Sequence, residues 1–198
     1  MNFTIRPARL DDIQQIIPFV RMAAGGISEY LLTDLVEGMS VDDILEMALA
    51  DENTPYYIEN FLVAEKKQHV IAAANFYPAE NHHLPDIMKS FLSKDKIDVI
   101  KPYLDTRVDD SMYIHTLGVL PAYRLTAVGF KLAKHIEKIA RENGTKCLSA
   151  HVWRDDKLVY NGLKMAGFEE VDRVYIPQNE YIKHKNGMIL LKGPDFSR

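Results

Sequence analysis

The chain has 198 residues, a net charge of −4, 47% apolar and 26% charged side chains and one cysteine. This is an ordinary globular composition with material for one well-buried core; it suggests no basic face for nucleic acid, allows no internal disulfide and has no apolar run near the roughly 18–20 residues of a membrane span. The start, MNFTIRPARLDD, carries charges where a signal peptide needs an apolar stretch, so a soluble, cytoplasmic protein is expected, with neither nucleic acid nor membrane as partner.

FTIRPA, from Phe3 to Ala8, reads as a short strand stopped at Pro7. Asp11 or Asp12 then caps a helix, DDIQQIIPFVRMAA, in which Ile13, Ile16, Ile17 and Val20 recur at helical spacing. Pro18 sits inside that pattern and predicts a kink or tightened first turns. Gly25 and Gly26 break the chain. Ser40 opens a second helix, VDDILEMALA, with acids in its first turn where they suit the helix dipole. FLVAEKK and HVIAAANFYP are two strands joined by a tight hairpin at Lys67 and Gln68, and Pro78 ends the second. Residues 79–110 carry weak helical periodicity (Ile87, Met88, Phe91, Leu92) and two prolines; they read as an insertion beside the core, a lid or a partner surface.

SMYIHTLGVL is a strand and AVGFKLAKHIEKIAREN a long helix closed by Gly144. KCLSAHVW is another strand. DDKLVYNGLKMAG is a helix capped by Asp155 or Asp156, with Gly167 past its end, and FEEVDRVYIP and GMILLKG form a final strand pair. Strands that first pair in hairpins and then alternate with helices predict one α/β domain over 1–198, a mixed sheet with helices on both faces.

The handover from strand to helix at HTLGVLPAYRLTAVGF carries the chemistry. A helix start exposes unpaired N–H groups and a partial positive charge. Small residues there, Ala127 and Gly129, let a phosphate approach the backbone, and Arg124 adds a fixed positive charge. Packing against a sheet would also favour small residues. There is no P-loop lysine and no G-x-G-x-x-G, which argues against an ordinary nucleotide site.

Val119, Pro121, Tyr123, Arg124, Ala127 and Gly129 resemble the acetyl-CoA motif of the GNAT superfamily of N-acetyltransferases, R-x-x-G-x-G/A after a V-x-P-x-Y/F strand end, with Ala127 where glycine is usual. IRPARLDDIQQI resembles the first strand and helix of that family, and GFEEVDRVYI the LGF ending after its last helix. The resemblance covers nearly the whole chain except 79–110. It implies the GNAT fold, with a splayed gap between the strand at Met112–Val119 and the strand at Lys146–Trp153. It implies acetyl-CoA as co-substrate, its pantetheine arm pairing with the backbone of Leu117 and Val119 and its pyrophosphate on the N–H groups of Leu125, Ala127, Val128, Gly129 and Phe130. The usual CoA-contacting asparagine is replaced here by Asp156, for which a plain N-cap role is the alternative. Residues 22–58 and 79–110 would build the acceptor side, and the insertion offers a surface for a homodimer or another partner.

Acetyl transfer needs a neutral amine and a route for its proton. HTLGV resembles the HxLAV strand of arylalkylamine N-acetyltransferases, which implies that His115 removes that proton through water; its ordinary pKa of about 6.5 suits the task. A hydrogen-bonded core histidine is the competing reading. Tyr113 points to the same face two residues earlier. The tyrosine that protonates the departing thiolate in the family corresponds to Leu163, so Tyr160, one helical turn earlier, is the substitute, against simple packing. His82 and His83 lack a matching set of Cys, Asp or Glu; they read as an exposed loop, and no metal is expected. His151 and Trp153 alternate on one strand and either line the acceptor pocket or pack the sheet. Glu29 or Asp34 would attract a cationic amine or is merely solvated. Two functions follow: an acetyl-CoA-dependent N-acetyltransferase acting on a primary amine of a small molecule or peptide, or a catalytically weak acyl-CoA-binding or interaction module on the same fold.

Overall fold

The computed structural model describes residues 2–196. Its strands are β1 (Thr4–Pro7), β2 (Phe61–Lys66), β3 (His69–Pro78), β4 (Ser111–Val119), β5 (Cys147–Trp153), β6 (Glu169–Val174) and β7 (Met188–Lys192). They form one sheet in the order β1-β2-β3-β4-β5-β7-β6, in which every neighbouring pair is antiparallel except β4 and β5. The helices are α1 (Ile13–Ala24), α2 (Ile27–Leu32), α3 (Val41–Ala50), α4 (Asp86–Phe91), α5 (Lys94–Asp105), α6 (Val128–Glu142) and α7 (Lys157–Met165).

Two apolar layers sandwich this sheet. On one face Ile16, Phe19 and Val20 of α1, Leu31 of α2, Leu45 and Leu49 of α3 and Ile100 of α5 meet Phe61, Val63, Ala73 and Trp153. On the other, Val128, Leu132, Ile136 and Ala140 of α6 lie on Leu62, Ala64, Ala72, Ala74, Met112, Ile114, Leu148 and Ala150. The i, i+4 spacing on α6 presents one stripe to the sheet. The strand alternation sends neighbouring residues to opposite layers.

The mixed sheet, the hairpin, the final strand pair and the helices on both faces agree with the sequence. Lys67 and Gln68 both adopt left-handed φ, 50° and 64°, the conformation a two-residue hairpin needs to match the strand twist. Ser40 caps α3, accepting from Asp43 N–H while the Asp43 carboxylate accepts from Ser40 N–H.

Helix α1 runs over Ile13–Ala24 with Pro18 inside it. Three local expectations change. Asp12 holds the N-cap position of α1 but its side chain makes no capping bond there; its carboxylate is bound by the Arg6 guanidinium at 2.7 and 2.9 Å and by Arg9 N–H at 2.8 Å. The glycine break is followed at once by α2, where Gly26 takes φ 97° and a Cβ would stand 2.3 Å from the Tyr181 carbonyl oxygen. Residues 79–110 are built into the core rather than laid beside it: Leu84, Leu92, Ile100 and Tyr103 are buried with α1 and α3.

Helix α1 lies directly against β4, and the contact closes on Gly118, where a Cβ would be 2.9 Å from Phe19 Cβ and Cδ1. Glycine is needed there for space. Gly118→Ala should therefore push α1 off β4 and lower stability by about 1–3 kcal/mol, read as a lower urea midpoint with an unchanged m-value; an unshifted midpoint would show that the helix yields freely.

Candidate active site

The parallel strands β4 and β5 pair only at Ser111–Cys147, Met112–Leu148 and Tyr113–Ser149. Buried Ser111 Oγ and Ser149 Oγ, 2.6 Å apart, close the joint. Beyond it Ala150–Trp153 pair with β7 and Ile114–Val119 with β3, so the two strands part. A β-bulge lies at the parting. Asn75 pairs with Thr116 and Phe76 with Ile114, which leaves His115 as the extra residue on β4. A bulge bends its strand and re-aims its side chains. Before it Met112 and Ile114 face α6; after it Leu117 and Val119 do, and His115 and Thr116 stand together with His115 Nδ1 3.1 Å from Thr116 Oγ1.

The backbone beyond the bulge is open on the β5 side. Leu120 N–H donates to Ile71 C=O at 3.0 Å. Antiparallel ladders alternate, so Val119 and Leu117, in register with Ala72 and Ala74, direct their N–H and C=O away from β3. Arg124 Nε reaches Val119 C=O from that open side at 3.3 Å.

The turn that follows feeds α6. Leu125 holds a left-handed φ of 61° with its side chain 88% exposed, a conformation that costs about 1–2 kcal/mol for a residue with a Cβ. Ala127, at φ −71° and ψ 0°, is the N-cap, and the backbone ladder of α6 starts with Lys131 N–H to Ala127 C=O. The replacement of glycine by Ala127 therefore brings no backbone strain. The Val128 side chain is fully buried under the sheet, and Phe130 lies outside. A Cβ on Gly129 would touch only Val119 Cγ2, at 3.4 Å. The first turn of a helix leaves its amides without intrahelical partners; here Val128 N–H donates to Thr126 Oγ1 at 3.4 Å, and the Arg124 guanidinium lies against the open side of β4, a start that suits an anion.

On the α1 face of the joint the structure gathers Tyr56, Tyr77, His82, Tyr103, Tyr113, His115 and His151. Tyr113 OH bridges Tyr103 OH at 3.2 Å and His151 Nδ1 at 3.0 Å, across the point where the strands separate. His82 is 1% exposed, with Nδ1 3.2 Å from Tyr77 OH and Nε2 3.2 Å from Tyr103 C=O. The His115 ring lies 5.0 Å from Tyr56 and 5.8 Å from Tyr77 between centroids. Burial among rings disfavours charge. It lowers His82 to about 4 and His115 to about 3, takes His151 well below its ordinary value, and raises Tyr56 to about 12 and Tyr77, Tyr103 and Tyr113 above theirs. The whole cluster is neutral at pH 7.

The chain matches the family model described as Acetyltransferase (GNAT) family over residues 30–168. It belongs to the GNAT acetyltransferases. Among solved structures this GNAT chain resembles an N-acetyltransferase from Staphylococcus aureus Mu50, with 21% identity, coverage of 96% of this chain and 99% of that one, and a TM-score of 0.67. It also resembles a PaiA N-acetyltransferase from Thermoplasma acidophilum in complex with coenzyme A, with 17% identity, coverage of 98% and 100%, and a TM-score of 0.57. At such identities the likeness is one of fold. No curated protein matches the chain.

Within this GNAT fold the predicted residues fall into two groups. His115 and Tyr113 share the ring cluster, and Leu117, Val119, Arg124, Leu125, Ala127, Val128, Gly129 and Phe130 line the strand-to-helix turn. Tyr160 and Asp156 lie apart from both groups in the contacts they make. Tyr160 OH donates to Glu170 Oε1 on β6 at 2.5 Å, and that bond raises the phenol pKa. Asp156 accepts from Val159 N–H at 3.1 Å as the N-cap of α7. The exposed-loop reading of His82 is overturned, because α5 covers it with Tyr103. The ordinary pKa expected for His115 is likewise corrected by desolvation. Among the described residues no group of three or more His, Cys, Asp or Glu is placed to hold a metal ion, and no helix is long and apolar enough to cross a membrane. Sequence reasoning missed Tyr77 and Tyr103. Tyr77 carried a usable signal, since it faces Tyr113 directly across the β3–β4 ladder.

A buried neutral histidine weakens stability in acid, because the unfolded chain takes up a proton that the native state refuses. His82, lowered from 6.5 to about 4, contributes on the order of 3 kcal/mol above pH 6.5. That contribution is lost progressively as pH falls from 6.5 to 4. Urea unfolding at pH 7.0, 5.5 and 4.5 should show a steep decline in the wild type and a shallower one in His82→Gln, whatever the starting stability of the variant.

Proposed function

We propose that this protein is an N-acetyltransferase that moves an acetyl group from acetyl-CoA to a primary amine of a small molecule or peptide. The parting of β4 and β5 beside the open amides of α6 carries this reading. Family membership and the coenzyme A complex of the Thermoplasma neighbour support it. When bound, acetyl-CoA supplies an activated acetyl group, and attack by the amine forms the C–N bond and breaks the C–S bond as the amine gives up one proton and CoA leaves as the thiol.

Residue by residue, Leu117 and Val119 offer backbone donors and acceptors on the open side of β4 to the pantetheine amides. Arg124, and the N–H groups of Leu125, Ala127, Val128, Gly129 and Phe130, hold the diphosphate. Asp156 serves as a helix cap. His115 is the proton acceptor. With a pKa of about 3 it cannot strip an alkylammonium of pKa about 10.4, so the amine arrives neutral. Its nitrogen becomes far more acidic once it bonds to the acetyl carbon, and a neutral imidazole takes the proton then. Tyr113, bridging Tyr103 and His151, extends that route across the joint.

One observation favours the second reading, a catalytically weak acyl-CoA-binding module. Leu163 has no proton to give and Tyr160 is engaged by Glu170, so neither is free to protonate a departing thiolate. A CoA thiol is acidic enough to leave unaided, and turnover decides. Release of free thiol from acetyl-CoA across a panel of amines supports the enzyme, whereas binding of CoA with no turnover of any amine supports the module.

Gly129→Glu should abolish CoA binding by placing bulk and negative charge at the diphosphate position; unchanged affinity in calorimetry would remove the cradle from this turn. For an amine that turns over, log kcat/KM should rise with unit slope up to the amine's own pKa, with no inflection near 6.5, and His115→Ala should lower kcat about 100-fold. A histidine inflection that disappears in His115→Ala would instead mean that His115 titrates normally in the working enzyme.

A further inference from the structure

A cavity of about 110 Å³ opens from the ring cluster into the space between α1, α2 and α3 on one side and α4 and α5 on the other. Its walls are Val20, Leu31, Leu45, Leu49, Phe61 and Ile100 with other aliphatic side chains, and its polar end is Tyr113, His115 and His151. Resting on the N-acetyltransferase reading, we infer that the acceptor is a primary amine with an uncharged, apolar body, seated in this cavity with its nitrogen at the His115–His151 end.

Three observations meet in this assignment. The ionisable groups on the cavity wall are Tyr56, Tyr103, Tyr113, His115 and His151, all neutral at pH 7, and no carboxylate stands among them. Glu29 Oε1 of α2 and Asp42 Oδ1 of α3 are held by Arg21 at 2.7 and 2.9 Å, and Glu29, whose Oε2 is buried without a hydrogen-bond partner among the described residues, does not line the cavity. A second ammonium on the acceptor would be buried there without a counter-charge. Next, His151 Nδ1 is occupied by Tyr113 OH, while its Nε2 is buried with no hydrogen-bond partner among the described residues. In the tautomer whose Nδ1–H donates to Tyr113, Nε2 presents a lone pair that an amine N–H satisfies. Finally, the groups able to take the proton belong to the same cavity. An amine that reaches them must bring its body into aliphatic surroundings. The volume approaches the roughly 150 Å³ of an engineered apolar cavity that holds benzene, so one ring or a short alkyl chain fits.

The test compares ethylamine, butylamine, hexylamine and phenethylamine with putrescine and spermidine, using acetyl-CoA, free-thiol release and calorimetry on the CoA-loaded protein. Apolar burial predicts a gain of roughly three- to fourfold in kcat/KM per added methylene until the cavity is full, and at least 100-fold discrimination against the polyamines. Ala48→Phe, which fills the cavity from α3, should remove the gain for hexylamine and leave CoA affinity unchanged. Faster acetylation of spermidine or putrescine than of hexylamine overturns the inference while the acetyltransferase stands. So does a rate that rises with acyl length, from acetyl- to butyryl- to hexanoyl-CoA, and ignores amine length, since the cavity then holds the acyl chain. Calorimetric binding of hexylamine and phenethylamine but not putrescine, with no thiol released from any amine, supports the ligand class while the acetyltransferase reading fails.

Discussion

The parallel ladder between β4 and β5 ends after Tyr113 and Ser149, and every later feature of the site follows from that termination. A longer ladder would consume the N–H and C=O groups of Leu117 and Val119 and leave an extended ligand nothing to pair with. The structure fixes the end of the ladder from both sides. Ser111 and Ser149 hold the joint shut at its base, and the extra residue on β4 turns the strand at His115. The bulge also inverts which residues face which layer. A histidine thus reaches the cavity on the α1 face while Leu117 and Val119, two and four positions on, pack towards α6.

Desolvation then sets the chemical character of the pocket. The rings that surround His82, His115 and His151 hold all three neutral and keep the nearby phenols protonated. A neutral pocket is a poor place to deprotonate an ammonium and a good one for an amine that arrives uncharged. It suits a step whose proton becomes acidic only as the new bond forms. The same burial predicts a loss of stability in acid, so the neutrality of the pocket and the pH dependence of folding share one physical origin.

Much of the fold was legible in the sequence because its signals were local. The two left-handed residues of the hairpin, the Ser40 cap and the i, i+4 stripe of α6 each need only a short window. The turn at Arg124–Gly129 was legible for the same reason, since a strand end, a fixed charge and small residues are consecutive. What the sequence hid depended on contacts between distant segments. His82 is buried because α5 folds back over it, and nothing in NHHLP reports that. Tyr160 stood at a plausible helical offset, but a carboxylate on β6 takes its hydroxyl. The helix α2 was masked by the two glycines before it, which permit a sharp reversal rather than ending regular structure. The bulge at His115 left no mark in a strand of ordinary composition.

One wall of the parted strands has a particular place in chain order. Among the described residues, Ala150–Trp153 take their ladder partners from β7, Met188–Ile189 and the residues that follow. On the ribosome β4 and β5 emerge well before β7. A nascent chain that has not yet reached residue 188 therefore carries β5 without its β7 partner beyond Ser149. The β5 wall of the opening is the part of the sheet that is completed late in synthesis.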